Sequence, residues 1–262
     1  MFQEVTMKRQ MLLSVLCYAI AGLSVHAEET VKPVGLPEDY AANVIYYNNF
    51  DAADYAAKAA INKVPNLYVN STATFTEGNG VGGGSALAKD YNTMLLLGDG
   101  IALNKPRTVS LWFNYNDENT KDVLNLLSIT EGTAFVGLVS RGGPFGGFSE
   151  LAGMAQAYNI PGCSNSDKVF DLKFKDNCPP KKWNNIAISS NGTAITWYVN
   201  GKMVLQKTLE KPLDDKIMMK RIDFGGPVSF DELVIFDCVL PASGIQSYYD
   251  AVKGILDRKN MF

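Results

Sequence analysis

Apolar and polar residues alternate with a period of two through much of this chain, and Asn-Gly pairs mark where the alternation turns back. Between Trp183 and Gln206, Asn191-Gly192 and Asn200-Gly201 bracket a short β-rich run. Asn and Gly tolerate the positive φ of a type I′ turn, so Asn-Gly between apolar runs signals a hairpin. Ile195, Trp197 and Val199 fall on one face of the run, Thr196 and Tyr198 on the other. The stretch is predicted to be a three-stranded antiparallel meander, because β-branched residues and two glycines defeat a helical period. Trp183 and Trp197 are assigned to its core.

The pattern recurs along the chain. Val44–Phe50, Thr93–Leu97, Val123–Ile129, Ala134–Ser140, Val169–Phe174 and Arg221–Phe224 are predicted strands. In Thr108–Asn114, Val109, Leu111 and Phe113 oppose Ser110, Trp112 and Asn114. In Val228–Phe236, Ser229, Asp231, Leu233 and Ile235 are expected to share a face. A helical period shows in two places only: an Ala-rich turn or two at Asp54–Lys63, and a short helix at Pro241–Tyr249. About ten to twelve short strands, with turns between them and no fixed repeat, define an all-β sandwich or barrel.

Two glycine-rich segments interrupt the strands. Thr76–Ser85 lacks the Gly-Lys-Ser/Thr ending of a phosphate-binding loop, and no helical run follows it, so it reads as a flexible surface loop. Arg141–Gly153 interleaves Phe145 and Phe148 with glycine; with Tyr158 these are the candidate sugar-stacking aromatics.

The first 27 residues change the picture of compartment. Met7-Lys8-Arg9, apolar Met11–Leu23 and Val25-His26-Ala27 read as a secretory signal with its cleavage site. Residues 28–40, with Pro33 and Pro37, read as a linker, and 41–262 as one domain. The apolar run is short for a bilayer span, so no integral membrane segment is expected after cleavage. The expected location is secreted, periplasmic or cell surface. A net charge of −3 offers no nucleic-acid footprint.

The lone histidine, His26, leaves with the signal. The mature chain then cannot build a Ser-His-Asp triad, a Cys-His pair or a histidine metal site. Cys163 and Cys178, close together in polar sequence, are expected to form a disulfide worth about 3 kcal/mol. Cys238, at an apolar strand end, is expected to be a buried thiol, and Cys178–Cys238 is the rival pairing.

Thr108–Phe113, Trp183–Ser189, Trp197–Gly201, Phe230–Phe236 and Leu240–Ile245 occur in one order. That order resembles the laminin G-like, concanavalin A-like lectin/glucanase jelly roll of secreted proteins over most of residues 41–250. The resemblance implies an antiparallel two-sheet jelly-roll sandwich with a short C-terminal helix. It also implies a non-catalytic role, binding a polysaccharide or surface glycan, or alternatively a surface protein. Laminarinase-type relatives carry a Glu-x-Asp-x-x-Glu strand, which this chain lacks. Asp117-Glu118 and Asp231-Glu232 are adjacent and expected on opposite strand faces, whereas a retaining pair stands about 5 Å apart across one bond. A glycoside hydrolase therefore ranks last. Relatives also hold a structural calcium, which would fall here on Asp231 and Asp51. Calcium takes roughly six to eight oxygens, so two carboxylates are only a beginning.

Overall fold

A computed structural model describes residues 32–259, apart from 55–58, 66, 71–72, 89–93, 116–123, 132–133, 144–147, 159–167, 170–176, 216–217 and 226–227; side chains are described outside 68–70, 88–99, 116–176 and 220–227. The expected signal, Phe145 and Cys163 lie outside the described residues. Lys32–Phe262 forms one compact unit.

After a 3-10 helix at Glu38–Asn43 the described strands are β1 (Val44–Asn48), β2 (Ile61–Asn62), β3 (Leu67–Asn70), β4 (Thr74–Thr76), β5 (Ser85–Ala88), β6 (Met94–Ala102), β7 (Arg107–Tyr115) and β8 (Leu124–Glu131). They continue with β9 (Ala134–Gly143), β10 (Phe148–Tyr158), β11 (Lys168–Val169), β12 (Asn184–Ser190), β13 (Ala194–Val199), β14 (Lys202–Thr208), β15 (Met218–Gly225) and β16 (Val228–Phe236), and the helix α1 (Ala242–Lys259) closes the chain. One sheet runs β14-β13-β12-β7-β16-β1-β2, with β5 also on β16 and β4 on β5; the second runs β11-β10-β9-β8-β15-β6-β3. Every described pairing is antiparallel. This is the expected jelly-roll sandwich.

The meander forms as its pattern dictates, with Ile188 opposite Trp197 and Ile186 opposite Val199. Its second turn has φ 46° at Asn200 and 78° at Gly201, as a type I′ turn requires. The first turn differs: only Gly192 is left-handed, and the Asn191 side chain accepts hydrogen bonds from the N–H groups of Thr193 and Ala194.

The central strands of the first sheet, β13, β12, β7, β16 and β1, are buried on both faces. Val109, Leu111, Phe113, Ile186, Ile188, Trp197, Phe230, Leu233 and Ile235 fill the main core, with Leu67, Ile101 and Met219 of the second sheet. On the other face Trp112, Ala187, Tyr198, Val234 and Phe236 meet Leu240 and the α1 residues Ile245, Tyr248 and Val252. All nine residues of β16 are therefore buried, although its sequence contains two acids. The helix is 18 residues long, well past the expected Tyr249, because Val252 and Leu256 continue the stripe begun by Ile245 and Tyr248.

Of the helical turn expected at Asp54–Lys63, residues 55–58 lie outside the described ones, and its C-terminal end is β2, where Asn62 and Ile61 pair with Tyr46 and Tyr47. Residues 33–40 have no strand, as their prolines imply, yet Leu36 is buried against the helix-side cluster. Cys178 is a free thiol buried in the main core, its pKa raised by burial, and Cys238 is also free and half-buried. Cys178 and Cys238 thus do not pair.

Candidate functional site

Two polar constructions flank α1, and they are built differently. The first is an acid cluster under the glycine-rich loop. In β16, Asp231 pairs with Trp112 and Val234 with Ser110, so three steps along β16 match two along β7. The extra residue is Glu232, at φ 51°. Such a bulge breaks the period of two. Phe230, Leu233 and Ile235 then face the main core, while both acids are drawn to the helix side. The expectations that Asp231 shares a face with Leu233 and Ile235, and that Asp231 and Glu232 point apart, are both overturned by this one inserted residue.

Asp51, just past β1, completes the cluster. Asp231 Oδ2 accepts from Val81 N at 2.5 Å and Oδ1 from Glu232 N at 2.8 Å. Asp51 Oδ1 accepts from Gly84 N at 2.7 Å and Oδ2 from Asn49 Nδ2 at 2.7 Å. Glu232 Oε1 accepts from the Tyr47 hydroxyl at 2.9 Å and Oε2 from Val34 N at 3.1 Å. Every carboxylate oxygen thus has a protein donor. The loop backbone comes so close that a Cβ on Gly82 would lie 3.0 Å from Asp51 and 3.5 Å from Glu232. Val81 is fully buried, so the segment expected to be flexible is an anchored loop.

Burial pushes the Asp231 carboxyl well above the usual carboxylate range, and the Glu232 charge adds to it. Burial likewise pushes Glu232 up to about 8. Asp51 is also raised, chiefly by desolvation. Among the described residues one cation reaches the cluster: Lys259, at the end of α1, donates to the carbonyls of Val81 at 2.7 Å and Gly82 at 3.0 Å. The structure does bring Asp51 and Asp231 to one loop, as a calcium site would require. The set nevertheless does not fit calcium with Lys259 in place. Six N–H and O–H groups already point at the six carboxylate oxygens, and the ammonium holds the loop carbonyls a metal would need.

The second construction is an open groove of about 960 Å³ between α1, the Asn200-Gly201 turn and the segment before β12. Trp183 and Tyr249 line it, both half-buried. Trp183 packs half-buried against the helix-side core cluster and also lines the groove, whereas Trp197 is fully buried in the main core. Tyr249 stacks on Trp112 with centroids 5.6 Å apart and planes 5° apart. An amide network fixes the wall. Asn200 Nδ2 donates to Asn177 O at 2.5 Å and to Asn184 Oδ1 at 3.0 Å, and its Oδ1 accepts from Asn185 N at 2.7 Å. Asn184 Nδ2 donates to the carbonyls of Pro179 and Lys182. A Cβ on Gly201 would lie 2.9 Å from the Gln246 side chain, so the turn sits directly on the helix.

Of the sequence-derived aromatics, Phe145 and the side chains of Phe148 and Tyr158 lie outside what is described. Phe148 and Tyr158 stand at opposite ends of β10 in the second sheet. Neither Trp183 nor Tyr249 had a sequence signal as a site residue; only a groove between helix and turn gives them that position.

Residues 89–246 match the family described as the concanavalin A-like lectin/glucanases superfamily. The chain belongs to that family. A search by sequence among curated proteins found no match. The binding domain of botulinum neurotoxin serotype D is structurally similar, with TM-score 0.58 and 15% identity over 81% of this chain and 51% of that one. Domain 4 of AbnA, an extracellular arabinanase from Geobacillus stearothermophilus solved with arabinotriose, gives TM-score 0.54 and 15% identity over 79% of this chain and 98% of that one. A Trypanosoma rangeli sialidase gives 0.58 and 11% over 82% and 33%. The chain spans about half the length of the neurotoxin domains it matches. At these identities the likeness is one of fold.

Proposed function

We propose that this protein binds a glycan in the groove beside α1 and performs no chemistry on it. The observation that carries the reading is the combination of half-buried Trp183 and Tyr249 with a ring of fixed amides in one open groove. An aromatic face covers the apolar side of a sugar ring. The Asn184 and Asn200 amides are spent inside the wall they fix, and exposed Asn79 and Asn177 in the same lining are the amides placed to meet hydroxyls. Membership of a lectin/glucanase family supports this, as does the likeness to an arabinanase domain solved with an oligosaccharide. The non-catalytic part rests on the acids. Asp231 and Glu232 are 0% exposed and engaged by loop donors, so neither reaches a bond lying in the groove. Export behind a cleaved leader belongs to the same reading, supported by apolar Met11–Leu23 and Val25-His26-Ala27. Among the described residues no helix is long and apolar enough to cross a membrane.

Affinity electrophoresis through gels carrying single polysaccharides tests the proposal. Retardation by at least one polysaccharide, abolished by Trp183→Ala in a folded sample, is the expected result. Retardation unchanged in that variant would place binding elsewhere.

A further inference from the structure

We infer that the groove takes an anionic polysaccharide, one whose sugar rings carry carboxylates or sulfate esters; this rests on the glycan reading above. The groove lining carries more positive than negative charge. Four lysines line the groove, Lys181, Lys182, Lys202 and Lys253, against two acids, Asp250 and Asp257. Asp257 pairs with Lys253 at 3.4 Å, while Asp250 accepts from the neutral Gln246 Nε2 at 3.0 Å and keeps its charge. Lys182 and Lys202 are exposed, and neither ammonium has an ion pair among the described residues. Four lysines against two acids give the groove lining a net charge of +2, in a chain whose net charge is −3. A general surface bias of this protein would be acidic, so the excess is local to the groove.

Their backbones are pinned on either side of the amide network. The Lys182 carbonyl accepts from Asn184 Nδ2 at 2.8 Å, and Lys202 directly follows the left-handed Gly201. A lysine ammonium is a hydrated point charge that pairs with an anion without demanding one geometry. Holding the two backbones in place lowers part of the ordering cost on binding. Trp183 lies in sequence directly beside Lys182, so the aromatic and the charge come from one rigid segment. The geometry suits a ring laid on an indole with its acidic substituent toward an ammonium.

The full chain is titrated by isothermal calorimetry with polygalacturonate, dextran sulfate and neutral dextran. The expected result is binding to one or both anionic polymers and not to dextran, weakened about tenfold as salt rises from about 50 to 300 mM. The two anionic arms tell carboxylate from sulfate. Lys182→Ala with Lys202→Ala weakens binding at least about tenfold, Lys182→Arg with Lys202→Arg retains most of it, and the off-groove pair Lys105→Ala with Lys211→Ala leaves it unchanged. Salt-independent binding of dextran that is lost in Trp183→Ala overturns the anionic inference and leaves the glycan reading standing. An equal loss in the off-groove pair overturns the inference as diffuse charge. Binding of none of the polymers, here and across the electrophoresis panel, removes the glycan reading itself.

Discussion

The acid cluster and the groove both lie against α1, and they spend their polar groups in opposite ways. In the cluster three carboxylates meet six protein donors, and the loop carbonyls of Val81 and Gly82 meet Lys259. In the groove the amides are held by one another, while Lys182 and Lys202 point outward without a carboxylate. Buried polar groups satisfied inside the molecule specify its shape. Charges left outside a fixed wall are available to something else. On this contrast the cluster is architecture and the groove is the working surface.

The contrast breaks most visibly at Gly80. A Cβ there would sit 1.5 Å from the Gly84 carbonyl oxygen and 2.7 Å from Asp231 Oδ2. Gly80→Ala must open the loop and strand the carboxylates, and a loss of about 3–5 kcal/mol in denaturant unfolding is expected. The same measurement on Trp183→Ala should show a smaller loss.

Acidity offers the next test. A carboxyl whose pKa is higher folded than unfolded binds its proton more tightly in the folded state, and so contributes stability at low pH. For Glu232 that contribution is complete below about pH 4.5 and is lost as pH rises through about 8; Asp231 shifts in the same direction. The melting temperature should fall across this window if the cluster is as buried as its geometry shows. A flat profile would mean the acids are solvated.

Removing the ammonium has a smaller effect. Lys259→Met leaves two loop carbonyls without their donor, and about 1 kcal/mol of stability should go, with a steeper decline toward high pH. Calcium should leave the melting temperature of the unaltered protein unchanged. A rise with calcium, reversed by a chelator, would show that the metal displaces Lys259. Smallest of all, Lys182→Ala should move stability by no more than about 0.5 kcal/mol, because the side chain is exposed.

The fold was legible where one rule governs a long stretch. The meander, Thr108–Asn114 and the order of family motifs all follow from period-two alternation and Asn-Gly turns. Legibility failed where a single residue breaks the rule. Nothing in Phe230-Asp231-Glu232-Leu233 announces the bulge that puts both acids on one side. Only pairing with Trp112 and Ser110 produces it. The loop at Thr76–Ser85 looked flexible because glycine content is the same whether a loop is free or must pass close to a carboxylate. Of the groove, only the Asn200-Gly201 turn was visible in advance. Trp183 and Tyr249 lie 66 positions apart, and only the packing of α1 on the Asn200-Gly201 turn brings them to one wall.

The most direct test of the account reads the three indole N–H resonances of the chain during titration with a polysaccharide the protein retains. Trp112 and Trp197 are fully buried and Trp183 is half-buried in the groove. The account predicts that the Trp183 indole shifts progressively and saturably while the other two move little. Saturable binding with the Trp183 resonance unmoved, and shifts confined to backbone amides of β8, β9 and β10, would contradict it.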